Sequence, residues 1–235
     1  MSLSSLRLAG LSCSSLALVA CILAPRPAGS GTSSAAPQAA GAEAPARHAV
    51  VAGQKLVVWD GDSVGVSARG WQECNQKPEC QVALAVEPSA GKTGTGLKFQ
   101  GQGRDWMGFG WNWLGYWPSD GGTDISAAKV LTFSIKVESQ AWDPKALTLG
   151  LRCSAGKKAL GSGPQQSRDS EFVAIAEFVQ DLGDGKWHDV VIPLDRFMAG
   201  KGAAFDKTTA WELAVGTWSQ SAQNLSVYLD DVAFQ

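Results

Sequence analysis

The sequence predicts an all-β protein, an antiparallel β-sandwich of the jelly-roll type with about ten strands. The first observation is a regular alternation of apolar and polar side chains, as in Lys129–Val137 and Ala146–Cys153. Alternation with a period of two and one apolar face is typical of antiparallel sheets that pack on one side. The second observation is that turn sequences such as Gly121-Gly122 and Gly183-Asp184-Gly185 separate the strand candidates. Helical patterns are almost absent, since only Asp195–Met198 suggests a short helical turn.

Ten strand candidates follow one another along the chain. In order they are Lys55–Asp60, Gln81–Val86, Gly96–Gly101, Asp105–Leu114, Lys129–Val137, Ala146–Cys153, Glu171–Val179, Trp187–Pro193, Trp211–Trp218 and Leu225–Phe234. In the fifth candidate Leu131, Phe133 and Ile135 share one face, whereas Thr132 and Ser134 share the other. About ten short strands in roughly 180 residues indicate two packed sheets.

The first 21 residues read as an export signal. Arg7 supplies a positive charge, and Leu8–Ala20 is an apolar run too short to cross a bilayer permanently. The run ends in Leu-Val-Ala-Cys, which resembles the lipobox of bacterial lipoproteins and predicts lipidation of Cys21. The alternative is a plain secretory signal. The protein is therefore expected to be exported, either as an envelope lipoprotein of the outer membrane or as a secreted protein.

Residues 22–53 form an Ala-, Pro-, Gly- and Ser-rich segment with few bulky apolar side chains. Such a segment buries too little surface to offset the entropy of ordering, so we predict a disordered tether. Residues 54–235 are long enough for one domain with its own core. The formal net charge of -2 and the lack of a basic run argue against nucleic-acid binding, and we expect a monomer.

Cysteine spacing predicts one local disulfide. Cys74 and Cys80 are separated by turn residues, and in an exported protein this spacing favours a bond worth about 2 kcal/mol. A metal pair is the rival interpretation, but no further Cys or His is available to complete it. Cys153 ends an apolar strand pattern and is expected to be a buried thiol.

The residues between Arg104 and Asp120 are unusually rich in tryptophan and glycine. Because alternate residues of a strand lie on the same face, one face carries the apolar residues Met107, Phe109, Trp111 and Trp113. We expect this face to pack in the core. The opposite face combines aromatic, amide and glycine residues, and glycine on a sheet face leaves room for a ligand. Sugars stack on aromatic rings and hydrogen-bond to amides and guanidiniums. The ligand residues predicted from this face, its loop end and a neighbouring strand are Trp106, Asn112, Tyr116, Trp117 and Arg152.

Five short motifs, in order, resemble the jelly-roll carbohydrate-binding modules of family 11 and its relatives in the galactose-binding-like superfamily. They are Trp59-Asp60-Gly61-Asp62, Gly91-Lys92-Thr93-Gly94, Thr123-Asp124-Ile125-Ser126, the Trp187 to Phe197 segment with Ile192-Pro193-Leu194, and Tyr228-Leu229-Asp230. The resemblance implies the sandwich fold and polysaccharide binding. It also adds Trp218, where such modules carry a ligand aromatic. Here tryptophan dominates where family 11 relies on tyrosine.

The resemblance further implies one structural calcium ion. Related jelly rolls hold Ca²⁺ where the first and last strands meet, and oxygen-rich turns suit this ion. The matching positions are Asp60, Asp62 and Asp230, with the backbone carbonyl of Lys92 as a fourth ligand.

Three functions remain open at this point. The first is non-catalytic binding of a polysaccharide or cell-surface glycan. The second is a surface lipoprotein that binds proteins or acts as an adhesin or scaffold. A shallow aromatic groove with a polar rim favours the first, and a larger, flatter apolar patch favours the second.

The third is a polysaccharide lyase or glycoside hydrolase, for which the sequence offers little. Lyase strand motifs are absent, and Glu171 and Glu177 are too far apart along one strand to act as a carboxylate pair. A Ser-His-Asp arrangement would have to use His188, since His48 lies in the tether. We therefore expect no enzymatic activity.

Overall fold

The computed structural model describes residues 49–64, 68–75, 79–115, 121–140, 143–154, 167–200 and 205–235. The predicted export signal, most of the predicted tether, Cys21, Tyr116 and Trp117 lie outside these residues. Ten strands are described, and every strand pair among them is antiparallel. The all-β prediction is therefore confirmed. Within the described part of the chain, no helix is long and apolar enough to cross a membrane.

The strands differ greatly in length, and two of them are very long. They are β1 (Leu56–Trp59), β2 (Arg69–Cys74), β3 (Gln81–Glu87), β4 (Gly96–Asn112), β5 (Val130–Gln140), β6 (Thr148–Ser154), β7 (Ser167–Asp169), β8 (Val173–Ala174), β9 (Asp184–Pro193) and β10 (Ala210–Phe234). Short 3₁₀ turns occupy Pro144–Ala146, Ile175–Glu177, Leu194–Met198 and Lys207–Thr209.

Strands β4 and β10 run through both layers of the sandwich. The later half of β4 and the first half of β10 join β2, β6, β7 and β8, which we call the first sheet. The earlier half of β4 and the later half of β10 join β3, β5 and β9, which we call the second sheet, and β1 pairs with the end of β10. The two strands thus link the layers covalently.

The bend between the layers has a local cause. Gly103 has φ of 141° and Asp105 has φ of 72°, both outside ordinary strand geometry. Opposite them, the register of β10 shifts between Ser219 and Gln223. A bulge of this kind bends a strand sharply and lets it pass from one sheet to the next.

The core lies between the sheets and is dense in aromatic rings. Phe99 of the earlier half of β4 stacks on Phe109 of its later half, with ring centroids 4.9 Å apart. Trp111 packs edge-on against Trp59 at 5.7 Å. The predicted core face of the aromatic strand is confirmed, because its four residues are all buried: Met107, Phe109, Trp111 and Trp113.

Several elements differ from the sequence prediction. Four predicted strands are the halves of β4 and β10, because each strand continues through its bend from one sheet into the other. Strands β2 and β7 were missed, since both are edge strands with little apolar alternation. Only Val173–Ala174 of the predicted strand Glu171–Val179 is a strand, and a 3₁₀ turn follows it. The helical turn predicted at Asp195–Met198 is confirmed as part of Leu194–Met198.

The remaining structural predictions concern the cysteines and the start of the domain. The disulfide between Cys74 and Cys80 is confirmed, with Cα atoms 6.2 Å apart. Cys153 is buried, and its sulfur accepts a hydrogen bond from the Asp206 backbone N–H at 3.2 Å. Val50, which the sequence placed in the tether, is buried and its N–H bonds to Asp124. The core of the domain therefore includes a residue before Gln54.

An aromatic groove on the outer face of the first sheet

Small residues form the floor of a groove on the first sheet. Gly110 faces Ala214 and Gly108 faces Gly216 across β4 and β10, and Gly150 of β6 faces Ala214 from the other side. Without bulky side chains at these positions, the outer face of the sheet is hollow. The groove above it has a volume of about 430 Å³, within the range of roughly 300–1,000 Å³ typical of ligand clefts.

Aromatic side chains of the protein itself lie over the glycines. A Cβ atom at Gly110 would overlap the Trp71 indole, and one at Gly108 would come within 2.9 Å of the Trp106 ring. Three ring atoms of Phe172 would lie 3.0 Å from a Cβ atom at Gly150. The sequence had suggested that these glycines leave space for a ligand. Instead, the three aromatic rings pack against these glycines, and the rings form the walls of the groove.

Trp218 extends the aromatic surface along β10. It pairs directly with Trp106 across β4 and β10 and is 56% exposed. Phe172 is 41% exposed. These exposed rings rim a surface whose floor is buried, as expected for a platform that stacks against a planar ligand.

A buried polar network anchors one wall of the groove. Oε1 of Glu212, a residue with no exposed surface, accepts hydrogen bonds from Trp71 Nε1 at 2.9 Å and from Arg152 Nη1 at 2.7 Å. Arg152 also donates through Nε to Asp169 Oδ1 at 2.7 Å, and its guanidinium lies 5.6 Å from the centroid of the Trp71 ring. Trp71 is therefore fixed at its nitrogen by a carboxylate and covered by a cation.

The carboxyl group of Glu212 has an unusual protonation equilibrium. Burial raises the pKa of Glu212 to about 6, against the opposing effects of the Arg152 charge and the Trp71 hydrogen bond. Its second oxygen, Oε2, is buried and has no hydrogen-bond partner among the described residues. The Glu212 carboxyl group beneath the groove therefore holds its proton to a higher pH than an exposed glutamate does.

The structure brings together only part of the predicted ligand set. Trp106, Arg152 and Trp218 lie on the outer face of the first sheet, the first two lining the groove and Trp218 beside it. Asn112 is on the same face but buried, and its Oδ1 accepts the Leu114 N–H at 2.9 Å, so it stabilises the following turn. Tyr116 and Trp117 lie outside the described residues.

Sequence reasoning missed the other aromatic and charged lining residues, which are Trp71, Glu73, Asp169 and Phe172, together with the buried Glu212. A signal existed for Glu212. It interrupts an apolar run in which Trp211, Leu213 and Val215 are buried in the core, and it shares the face of Trp218. No comparable signal marked Trp71, because its strand has no apolar face.

Two of the predicted calcium ligands, Asp62 and Asp230, contact the turn at residues 91–96, but all three carboxylates accept backbone N–H groups. Asp60 accepts from Val64 at 2.7 Å, and Asp62 accepts from Thr95 at 3.0 Å. Asp230 accepts the Lys92 N–H at 2.8 Å, so Lys92 contributes a donor there. Hydrogen-bond donors directed at these oxygens do not fit a cation that takes about six to eight oxygen ligands.

The same hydrogen bonds explain the protonation of Asp60. Partial burial would raise its pKa, but the hydrogen bonds from Ser63, Val64 and Asp62 outweigh that effect and lower the pKa to about 2. Within the described ranges no group of three or more His, Cys, Asp or Glu side chains is arranged to hold a metal ion. Calcium binding is implied by the family resemblance alone, and the contacts of these carboxylates do not support it.

The histidine considered for catalysis lies away from the groove. His188 is on β9 of the second sheet, and its Nε2 lies 2.9 Å from Asp184 Oδ1. In the part of the chain that the structure describes, this carboxylate is the one hydrogen-bond partner of the ring.

Comparison with known proteins identifies the family to which this chain belongs. The sequence profile of the family "Carbohydrate binding domain 30" matches residues 55–235. The chain therefore belongs to this family of carbohydrate-binding domains. The sequence resemblance to jelly-roll carbohydrate-binding modules is thereby confirmed, with family 30 as the family that matches. A search of curated protein sequences found no significant match.

Two family 30 modules of known structure show the same fold. One is the family 30 module of the cellulosomal cellulase Cel9D-Cel44B of Clostridium thermocellum, with 18% identity over 71% of this chain and 90% of that chain, and a TM-score of 0.51. Another family 30 module has 16% identity over 77% and 98% of the two chains and a TM-score of 0.52. The family 11 module of the Clostridium thermocellum cellulase Lic26A-Cel5E has 15% identity over 79% and 95%, and a TM-score of 0.49.

Proposed function

We propose that this protein binds a polysaccharide in the aromatic groove without cleaving it. The observation that carries the proposal is the combination of Trp71, Trp106, Trp218 and Phe172 with polar groups on one hollow sheet face. A pyranose ring has an apolar C–H face that stacks on an indole, whereas its hydroxyls need hydrogen-bond partners at the edges of the groove. Membership of a carbohydrate-binding family supports the same conclusion.

The charge of the groove favours an uncharged glycan. Glu73 and Asp169 line it, and Glu212 lies directly beneath it, whereas Arg152 is its one cation among the described lining residues. Arg152 already bonds to two of these carboxylates. An acidic polysaccharide would therefore meet excess negative charge, and like charges brought together in a partly buried site cost binding energy. We expect neutral chains to bind more tightly than uronic-acid polymers.

Two of the three carboxylates at the groove are buried or already paired, which supports a non-catalytic role. A glycoside hydrolase needs two carboxyl groups that flank the scissile bond and are free to move protons. Here Glu212 is fully buried beneath Trp71, and Asp169 is paired with Arg152. Glu73 lies on the edge strand β2. This arrangement supports positioning of aromatic side chains and leaves no matched acid and base among the described groove residues.

Affinity electrophoresis in gels that contain soluble polysaccharides tests the proposal. Stacking modules bind weakly, on the order of 4–8 kcal/mol, which corresponds to millimolar to micromolar Kd. We expect retardation by a neutral glycan that weakens at least tenfold in Trp106→Ala. Trp187→Ala is the matched control, because Trp187 lies on the second sheet. Equal loss in both variants, or retention in Trp106→Ala, would contradict binding in the groove.

We further propose that the module is exported and held at the cell envelope by a lipid on Cys21, with the following segment as a tether. The signal-like residues 1–21 support this proposal. Membrane fractionation and mass spectrometry of the mature N-terminus test it. A diacylated Cys21 in the membrane fraction is the expected result, and an unmodified N-terminus elsewhere in the chain would contradict the lipid anchor.

A further inference from the structure

A second groove lies on the outer face of the second sheet, on the opposite side of the core from the aromatic groove. It has a volume of about 380 Å³ and crosses three neighbouring strands. Its lining side chains come from β3, β4 and β10, and the polar ones are Gln81, Gln100, Gln102, Asn224 and Ser226. None of the lining residues is charged or aromatic, so its chemistry differs from that of the first groove.

Strand register places the carboxamides in rows. Gln102 of β4 pairs directly with Gln81 on one side and with Asn224 on the other. In the next row, Gln100 pairs with Ser226 and with Ala83, whose methyl group leaves the groove open. The four carboxamide side chains are exposed. The result is a ladder of amide groups that runs across the strands.

The amide groups of this ladder are available for a ligand. In the part of the chain that the structure describes, Gln81, Gln100, Gln102 and Asn224 make no side-chain hydrogen bond. The charged side chains beside the ladder are already paired. Lys98 lies 3.3 Å from Glu87, and Lys136 lies 3.0 Å from Glu138, whose other oxygen accepts from Tyr228. The open hydrogen-bonding capacity of this face is therefore neutral.

Spacing and chemistry select the kind of ligand. Carboxamides both donate and accept hydrogen bonds, as sugar hydroxyls do, and carry no charge to attract an ion or a phosphate. Neighbouring strands are about 4.7–4.9 Å apart, which is comparable to the length of one pyranose residue. The ladder therefore fits a neutral glycan chain lying across the strands.

We propose that this amide ladder is a second glycan-contact site, so that one module joins two segments of neutral polysaccharide. The proposal rests on the proposed function, because it assigns the same class of ligand to both faces. The aromatic groove supplies most of the affinity through stacking. The ladder offers only hydrogen bonds, so it binds a second chain more weakly. With both sites occupied, the module cross-links two chains.

Light scattering of the purified protein mixed with soluble neutral polysaccharides tests the second site, after sedimentation shows the protein to be monomeric. Intrinsic tryptophan fluorescence, measured in the same samples, reports the aromatic groove. We expect the double variant Gln100→Ala/Gln102→Ala to lose at least fivefold in scattering while the Kd from fluorescence changes less than twofold. Gln54→Ala, an exposed glutamine outside the groove, should scatter like the unaltered protein.

The outcomes separate the two proposals. Saturable fluorescence changes without scattering, or scattering that persists in Gln100→Ala/Gln102→Ala, would overturn the second site and leave the first intact. No fluorescence change with any glycan would overturn the proposed function, and the second site with it. The independent pair Gln81→Ala/Asn224→Ala should reproduce the loss of scattering. It replaces the first pair if circular dichroism shows that the first pair does not fold.

Discussion

Individual tryptophans in this protein serve two different purposes, which their burial separates. Trp111 is 5% exposed and packs against Trp59 in the core, whereas Trp218 is 56% exposed on the outer face. We expect Trp111→Ala to lower the free energy of unfolding by roughly 3–5 kcal/mol, because it leaves a large cavity. Trp218→Ala should change it by less than about 0.5 kcal/mol. Urea unfolding measures both, and an unchanged midpoint for Trp111→Ala would refute the assignment of faces.

Glu212 makes stability depend on pH in a predictable direction. Its pKa in the folded protein is about 6, above the ordinary value of 4.5, so the folded state holds the proton more tightly. The stabilisation from this group is complete below about pH 4.5 and is lost as pH rises to about 6. This difference in pKa between the folded and unfolded states corresponds to about 2 kcal/mol of folding free energy.

The variant Glu212→Gln isolates this effect. It keeps an acceptor for the indole N–H of Trp71 but cannot ionise. Thermal melting of both proteins between pH 4 and 7 should show a Tm difference that changes across this window, with the unaltered protein losing stability relative to the variant as pH rises. Parallel Tm profiles across the window would show that Glu212 does not titrate there.

At the scale of the strand, the glycines of the floor hold the aromatic wall in place. A methyl group at Gly110 would collide with the Trp71 indole, so we expect Gly110→Ala to displace that ring and weaken glycan binding at least fivefold. Gly121→Ala is the matched control, because a Cβ atom there meets nothing within 4 Å. Fluorescence titration compares them. Equal affinities for the two variants would mean that Trp71 does not contribute to the site.

Strand β4 shows how much of the site could be predicted from the sequence. Alternation alone separated its core residues from its groove residues, because a strand buried on one face must follow a period of two. Trp106 was found in this way. Its partners from other strands were harder to find, because alternation within one strand does not specify which strands become neighbours.

Strand β2 shows why the rest was missed. Arg69–Cys74 is an edge strand with one large apolar side chain, so it lacks the alternation that marks a strand with one buried face. Trp71 becomes part of the site through pairing with Gly110 and a hydrogen bond to Glu212, 141 positions away in the chain. Contacts over such separations depend on strand order, and short-range pattern gives little information about it.

For the molecule as a whole, the two long strands join both faces into one structure. β4 contributes Gly108 and Gly110 to the aromatic groove and Gln100 and Gln102 to the amide ladder, and β10 likewise serves both. The sandwich therefore presents two chemically different grooves on opposite sides of a shared core. A carbohydrate-binding domain built this way has the geometry to cross-link as well as to anchor.

The arrangement of residues gives little support to the prediction that a structural Ca²⁺ ion stabilises the domain. Since Asp60, Asp62 and Asp230 already accept backbone N–H groups, we expect the same Tm in excess Ca²⁺ and in excess EDTA. Differential scanning calorimetry makes the comparison. A Tm that rises with Ca²⁺ concentration would show that an ion binds the folded state and that these carboxylates turn toward it.

The central claim is that the aromatic groove of the first sheet binds a neutral polysaccharide. The most direct measurement is a titration of the intrinsic tryptophan fluorescence of the purified protein with soluble neutral and acidic polysaccharides, repeated with Trp106→Ala. We predict a saturable spectral shift with a neutral glycan that is lost in Trp106→Ala. No shift with any polysaccharide, from a protein that still unfolds cooperatively, would contradict the claim and favour a protein-binding surface instead.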